Sequence, residues 1–307
     1  MRHVIALGVS DTGTRAALVG PDGTPLYEEW RAVGRGAGPE AVLEELLPFA
    51  EELRARGRER FGTAAEAVGI AVPCAVPVRG TGVGSGGLCR EGIRERLSRG
   101  LGRMPVGLAP EVRAAALAEG RLGAGRGADR FLFVSLDGRV AGAIGTDRGI
   151  ETGAHDRAGA IGHVVVRPGG PLCGCGRRGC LDSVASAAAI ARAWAAASGA
   201  PVADAIGCAR ATGNGDAAAA EVWQAAVEAL ADGLITAHTL LDSRTLIIGG
   251  GLAAAGETLF APLRAAVRER IAFRRLPGIV PAALGDTAGC LGAGLLARDL
   301  LAVGAGR

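Results

Sequence analysis

The chain of 307 residues is poor in aromatic side chains, which make up only 3% of it, and it has no charge-free apolar run of about 20 residues. The first absence implies a core of Ala, Val and Leu, and the second predicts no membrane-spanning helix. No run of Lys or Arg stands out and the net charge is only +3, so nucleic-acid binding is not predicted. We expect no signal peptide, because Met1-Arg2-His3 leads straight into an apolar segment at 4–7.

A disulfide framework is also not indicated. Four of the seven cysteines are scattered along the chain, at Cys74, Cys89, Cys208 and Cys290. This scatter fits a reducing cytoplasm better than paired cysteines, so we expect a cytoplasmic protein. The length suits two lobes or one large domain.

The other three cysteines are close together. Cys173, Cys175 and Cys180 lie within eight residues, and His163 precedes Cys173 by ten. Three thiols and one imidazole are the ligands of a tetrahedral Cys3His zinc site, and the intervening glycines let a short loop fold back on one ion. Because no fifth ligand is at hand, the pattern predicts a structural zinc. The alternative is three reduced cysteines in a plain core.

The remaining pattern is that of an α/β protein. Strands are predicted at 3–9, 15–19, 68–72, 131–136, 141–144 and 246–248. Helices are predicted at 38–60, 111–122, 184–198, 217–240, from about 256, and at 287–302. The glycine-rich stretch 80–87 is expected to be a loop. The strand–turn–strand start recurs near residue 131, which suggests two similar lobes.

The order of motifs around the cysteines resembles the ROK family of sugar kinases and sugar-responsive repressors. The signature of that family is Gly-Glu-X-Gly-His, followed by Cys-Gly-Cys-Gly-X-X-Gly-Cys-X-Glu. This chain has Gly-Ala-Ile-Gly-His at 159–163 and Cys-Gly-Cys-Gly-Arg-Arg-Gly-Cys-Leu-Asp at 173–182. The resemblance covers essentially the whole chain.

The resemblance implies a two-lobed actin-like (ribonuclease H-like) sugar-kinase fold with a structural zinc loop. The smaller lobe is expected at 1–117, closed by a C-terminal helix at 295–307, and the larger lobe, with the zinc loop, at 118–294. By the same resemblance we expect nucleotide in the cleft between lobes, a small-molecule ligand and a homodimer. A repressor is the weakest candidate, because family repressors carry a helix-turn-helix before the first strand.

The first phosphate-binding turn departs from the family pattern. The family has Asp-X-Gly-Gly-Thr-Lys, whose Asp helps to hold Mg²⁺, whereas this chain has Ser-Asp-Thr-Gly-Thr-Arg at 10–15. Ser10 aligns with the Mg²⁺ ligand. Asp11 takes that place only if the turn shifts by one residue, which would turn side chains to the other face of the strand. The candidate nucleotide-binding residues here are Asp11, Gly13 and Thr14. The alternative is a plain hairpin with Asp11 capping its turn.

The second turn, Gly-Thr-Gly in the family, is Asp137-Gly138-Arg139 here. A carboxylate facing a polyphosphate would repel it, although Arg139 could offset that charge. A third glycine turn follows an apolar strand and passes beside adenosine in the family, but tight packing explains its glycines equally well. The candidate nucleotide-binding residues of this lobe are Gly138, Gly249, Gly250 and Gly251. Mg·ATP is therefore a possible but doubtful ligand.

The acceptor site departs furthest. The family segment Asn-Asp-Ala-Asn-Ala-Ala-Ala aligns with Pro-Glu-Val-Arg-Ala-Ala-Ala at 110–116. Glu111 stands in place of the catalytic Asp, one methylene longer, and Arg113 in place of a sugar-binding Asn. Ala160 replaces a sugar-binding Glu, which leaves His163 as the polar sugar contact that persists. The remaining ligand-binding candidates are Asp182, at the last Glu of the signature, and Gly87, at an Asn that precedes Leu.

Two functions follow from these departures. The first is a divergent ROK protein with a remodelled sugar-kinase cleft. It is not an ordinary hexokinase, and it binds or transforms a small charged metabolite whose anionic group Arg113 grips. The alternative is an ATP-dependent kinase of a sugar, amino-sugar or polyol, with Glu111 as the base. Charges retained by chance, or a Glu111–Arg113 pair, would explain the same residues without a ligand.

Overall fold

The computed structural model describes residues 1–10, 13–32, 39–73, 93–199, 204–271 and 275–305. The chain divides into two compact units, Met1–Ala118 with Asp286–Arg307, and Glu119–Gly285. Among the described residues, no helix combines the length and apolarity needed to cross a bilayer.

The described chain contains both strands and helices. The strands are β1 (Val4–Val9), β2 (Gly13–Val19), β3 (Pro25–Ala32), β4 (Val68–Val72), β5 (Val106–Pro110), β6 (Arg130–Leu136), β7 (Val140–Thr146), β8 (Gly149–Glu151), β9 (Thr245–Gly249) and β10 (Gly278–Pro281). The helices are α1 (Pro39–Phe61), α2 (Ile93–Gly100), α3 (Glu111–Leu122), α4 (Leu181–Ala185), α5 (Ala187–Ser198), α6 (Ala205–Gly213), α7 (Ala217–Leu241), α8 (Glu257–Arg270) and α9 (Ala288–Ala305). The predicted α/β class is confirmed.

Each unit contains one five-stranded sheet, and the two sheets have the same topology. In the first unit the order is β3-β2-β1-β4-β5, and in the second it is β8-β7-β6-β9-β10. In each sheet the first three strands along the chain pair as antiparallel neighbours, and the remaining pairs are parallel. The repeat predicted near residue 131 is therefore a repeated sheet, with β6 in the place of β1.

Helices cover both faces of the first sheet. Every residue of β4 is buried, and β1 is buried except for one residue of intermediate exposure. Ile5 packs with Leu53 of α1 on one side, while Ala6 packs with Ala293 of α9 on the other. Strands enclosed in this way are continuous apolar runs, which is why periodicity found β1 and β4 so readily.

Helix α9 packs closely against strands and a helix of the first unit. A Cβ atom at Gly69 would overlap the carbonyl oxygen of Ala293, and one at Gly292 would overlap that of Ala114. These glycines let the backbones approach each other. Residues 286–294 consequently group with the first unit, whereas we had assigned only 295–307 of this region to the smaller lobe.

The core of the second unit is built around α7. Trp223, Leu230 and Leu234 of that helix are buried against other apolar residues of the unit, among them Leu181 of α4. The indole N–H of Trp223 donates to the Thr258 carbonyl at 2.9 Å, so this large side chain is buried without an unpaired polar group. Leu181 anchors α4, the helix that follows the cysteine-rich segment.

The helix predicted at 184–198 is two helices. α4 ends at Ala185, and the Ser186 hydroxyl accepts the Ala189 N–H at 3.2 Å, which starts α5 with a new N-cap. The sequence analysis did not find β3, β5, β8, β10, α2 or α6. Edge position explains four of these, because β3, β5, β8 and β10 are the outer strands of the two sheets and carry weak apolar patterns.

Candidate functional site

Four potential metal ligands converge in the second unit. The donor atoms of His163, Cys173, Cys175 and Cys180 all lie within 4.8 Å of one another. The Cys173 sulfur is 3.7 Å from Nδ1 of His163, and the Cys175 and Cys180 sulfurs are 3.6 Å apart. Ligands on a tetrahedral zinc ion, at bond lengths of about 2.0–2.3 Å, are themselves roughly 3.3–3.8 Å apart. The donor set and its spacing therefore fit one tetrahedral metal ion.

Backbone contacts shape the loop that carries the thiols. The Cys173 N–H donates to the Arg177 carbonyl at 2.8 Å, and the Gly176 N–H donates to the Cys173 carbonyl at 2.9 Å. Gly176 and Gly179 have φ angles of +88° and +74°, which favour glycine. A Cβ atom at Gly179 would also overlap the Arg167 carbonyl. The loop is thus held both by its own backbone hydrogen bonds and by the neighbouring segment at residue 167.

The acid–base chemistry of the ligands depends on their burial. Burial raises the pKa of the Cys180 thiol to about 12 and also raises that of Cys173. Burial acts to raise the pKa of Cys175 as well, but hydrogen bonds from the Arg177 N–H and the other two thiols outweigh it, so the net shift is downward. A bound divalent cation would favour the thiolate form of all three. Burial lowers the pKa of His163, which favours the neutral imidazole that binds metals.

Asp182 lies next to this loop, in the first turn of α4, and is buried, with 7% of its side chain exposed. Oδ1 accepts the Val140 N–H at 2.7 Å, and Oδ2 lies 2.8 Å from Nε of Arg139. Oδ2 is also 3.9 Å from the Cys173 sulfur. Both carboxylate oxygens are therefore engaged by the chain itself, and the predicted role of Asp182 in ligand binding stays a prediction.

Asp137 joins the turn between β6 and β7 to the glycine turn after β9. Its Oδ1 accepts the Gly251 N–H at 2.6 Å, and its Oδ2 accepts the Ser135 hydroxyl at 2.5 Å. The Asp137 carbonyl accepts the Ala187 N–H at 2.8 Å, which ties the same turn to α5. We had treated Asp137 only as a charge that repels phosphate. Its contact with Gly251 spans 114 residues, and no local pattern predicts it.

The glycines of the turn after β9 have a packing role. Gly250 has a φ angle of +83°, and a Cβ atom there would lie 2.6 Å from the backbone N and O of Leu136. A Cβ atom at Gly249 would lie 3.0 Å from the ring of Phe133. Packing explains these two glycines, as the sequence alternative proposed, and nucleotide binding by Gly138, Gly249, Gly250 and Gly251 stays a prediction.

In the first unit, Ser10 just after β1 and Gly13 at the start of β2 are in direct contact. The Ser10 N–H donates to the Gly13 carbonyl at 2.9 Å, and the Ser10 hydroxyl donates to the same oxygen at 2.9 Å. A Cβ atom at Gly13 would overlap the Arg31 carbonyl of β3, and Thr14 is buried, with 4% exposed. Asp11, the other candidate at this turn, lies outside the described residues.

The predicted acceptor-site residues of the first unit lie at the start of α3. Glu111 is the first residue of that helix and is half-buried, as is Arg113 two residues later. The side chain of Glu111 packs over Gly289, where an added Cβ atom would lie 3.1 Å from its Cγ. Negative charge at a helix N-terminus is favourable. Gly87 lies outside the described residues.

Comparison with known proteins supports the resemblance. The ROK family model matches residues 4–300. A glucokinase of Thermotoga maritima is 34% identical over 222 residues, 67% of this chain and 70% of that protein. A kanosamine kinase of Amycolatopsis mediterranei is 31% identical over 310 residues, 97% of each chain.

Solved structures agree with the relatives. A ROK hexokinase from Thermus thermophilus is similar with a TM-score of 0.84 and 30% identity, covering 98% of this chain and 99% of that one. A ROK family glucokinase from Streptomyces griseus in complex with glucose and AMPPNP has a TM-score of 0.77 and 26% identity, covering 97% and 99%. The two-lobed α/β sugar-kinase fold is thereby confirmed, and the chain belongs to the ROK family.

Proposed function

We propose that this chain is a divergent ROK protein that binds or transforms a small anionic metabolite and is not an ordinary hexokinase. The observation that carries the proposal is the Arg139–Asp182 pair. Asp182 stands where the family signature has a Glu, but its carboxylate is buried and engaged by the Val140 N–H and by Nε of Arg139. It is therefore poorly placed to accept hydrogen bonds from a sugar.

Arg139 is the more exposed partner of that pair. About half of its side chain is exposed (51%), and the pairing with Asp182 is made through Nε. An arginine whose Nε is held by a buried carboxylate presents its remaining N–H groups in a defined direction, which suits a carboxylate or phosphate ligand. Arg139 thus joins Arg113 as a candidate for anion binding.

Zinc in this proposal has a structural role. His163, Cys173, Cys175 and Cys180 would hold it, and a closed set of four protein ligands contributes folding energy without an open position for substrate. The cytoplasmic location and the homodimer expected from the family stay predictions.

The alternative is an ATP-dependent kinase of a sugar, amino-sugar or polyol. Two observations favour it: the kanosamine kinase relative is similar over nearly the whole chain, and Glu111 lies at the start of α3 as a catalytic carboxylate would. Glu111 would take the proton of the acceptor hydroxyl as that oxygen attacks the γ-phosphorus of ATP and ADP leaves. The candidate nucleotide contacts would be Asp11, Gly13, Thr14, Gly138 and the glycines at 249–251.

An assay of ADP release, with glucose, kanosamine and N-acetylmannosamine as acceptors, separates the two functions. We expect no turnover with Mg·ATP. Turnover of about one per second or faster that disappears in Glu111→Gln would overturn the proposal and establish the kinase.

A thermal-shift screen of phosphorylated and carboxylated metabolites tests the anion site. We expect at least one anion to raise the melting temperature of the wild type and to lose that effect in Arg139→Ala. Arg113→Ala is the matched variant in the first unit, and it tells which arginine holds the anion. Stabilisation by neutral hexoses alone would contradict the proposal.

A further inference from the structure

The carboxylate of Asp137 occupies a position between two turns of the second unit. It belongs to the turn 137–139, and it accepts the N–H of Gly251 at 2.6 Å in the turn after β9. The other oxygen accepts the Ser135 hydroxyl at 2.5 Å. Each carboxylate oxygen therefore has a donor from the chain.

The turn at 250–251 is shaped to bring this N–H close to the carboxylate. The φ angle of Gly250 is +83°, and a Cβ atom there would lie 2.6 Å from Oδ2 of Asp137 as well as from the backbone of Leu136. Only a residue without a side chain allows so close an approach. Backbone N–H groups in glycine turns are the donors that bind phosphate oxygens. Here the chain supplies its own anion to one of them.

Asp137 is also exposed, so its charge faces any ligand that approaches the turn. A phosphate group would have to displace the carboxylate from the Gly251 N–H and then remain beside an unpaired negative charge. Both effects oppose binding of a polyphosphate. The larger of the two effects is the repulsion by the unpaired negative charge. Removing that charge while keeping an oxygen acceptor would relieve it.

We propose that Asp137 is a specificity-determining residue that excludes polyphosphate ligands from the turn at 137–139 and from the Gly251 N–H that its carboxylate occupies. The inference deepens the proposed function, since it gives a physical cause for poor binding of Mg·ATP. It makes Asp137 the residue to change if nucleotide binding is to be gained.

The test is calorimetric titration of the full chain, purified without chelators, with Mg·ATP in excess Mg²⁺. Asp137→Asn is isosteric and retains an oxygen for the Gly251 N–H. We expect it to bind Mg·ATP tighter than the wild type by about tenfold or more, because one like charge is removed next to the phosphates. Asp137→Gly, which removes the whole side chain, provides a second variant, and a gain is expected there too.

Two controls make the result specific. Ser135→Ala removes the hydroxyl but keeps the carboxylate, and it should bind Mg·ATP as weakly as the wild type. Adenosine, which has no phosphate, should bind equally to all variants. Unchanged Mg·ATP affinity in both folded Asp137 variants overturns the inference, and so does an equal gain in Ser135→Ala.

The outcome is separable from that of the proposed function. Hexose phosphorylation by the wild type would overturn the proposed function. The ratio of Mg·ATP affinities between Asp137→Asn and the wild type tests the inference in either case.

Discussion

The cysteine loop and the turn at 137–139 are neighbours in the second unit, with Asp182 in contact with both, yet they differ in what their functional atoms do. The loop directs four donor atoms toward one another. The carboxylates of Asp137 and Asp182, in contrast, are already engaged by donors of the chain. A cation would engage all four donors of the loop at once, whereas the two carboxylates are engaged without a ligand.

The loop and the turn also differ in how closely their sequences follow the family pattern. The loop has the family residue at each metal-ligand position, while the turn has Asp and Arg where the family has glycines. A residue that stands in place of a family residue can be accommodated when a nearby backbone N–H or an opposite charge pairs with it. The loop therefore retains the donor set of the family, whereas the turn does not retain the family's glycines.

The largest expected effect comes from Cys175→Ser. The variant should lose the metal, from about one ion per chain to nearly none, and melt about 10 °C or more below the wild type, because a structural site contributes several kcal/mol of folding energy. Metal analysis and calorimetry measure both. Cys208→Ser is the control, since that buried thiol donates to the Ala219 carbonyl and belongs to no ligand cluster among the described residues. A wild type without zinc would contradict the metal assignment.

The next effect concerns the fold of the loop. Gly179→Ala should cost about 3 kcal/mol or more of unfolding free energy, because it combines a positive φ with a Cβ overlapping the Arg167 carbonyl. Gly176→Ala, also at positive φ but with no atom within 4 Å of its Cβ, should cost only about 1–2 kcal/mol. Urea denaturation of the two variants compares them. Equal losses would mean that Gly179 does not lie against residue 167.

The smallest expected effect tests whether the loop and the turn are independent. Asp182→Ala leaves the Val140 N–H without its acceptor and should cost about 2–3 kcal/mol, whereas Asp182→Asn keeps an acceptor and should cost about 1 kcal/mol. The ion pair itself contributes little, because Arg139 is half exposed. Denaturation curves and metal content are the measurements. Loss of metal in Asp182→Asn would show that the loop depends on the turn.

Local patterns predicted the elements that depend on neighbours in sequence. The helix predicted at 111–122 is α3, with the same bounds, because an acidic first turn and regular apolar spacing are local signals. The edge strand β3 was missed, because its residue types do not follow its exposure: Glu29 and Arg31 are half-buried, whereas Trp30 is exposed. Ser186 was missed as a helix boundary, because its capping role requires α4 to end just before it.

The sequence by itself determined the family and identified four candidate metal ligands, because a Cys3His set needs only short spacing and a few glycines to converge. Only the tertiary structure decided what the changed residues contact. Val140 and Asp182 are 42 residues apart, and Asp137 and Gly251 are 114 apart. Such contacts depend on how strands and helices pack. Packing brings together segments that are far apart along the chain, and no local sequence pattern predicts that they meet. The carboxylates of Asp137 and Asp182 are examples, because both accept hydrogen bonds from backbone N–H groups of the fold.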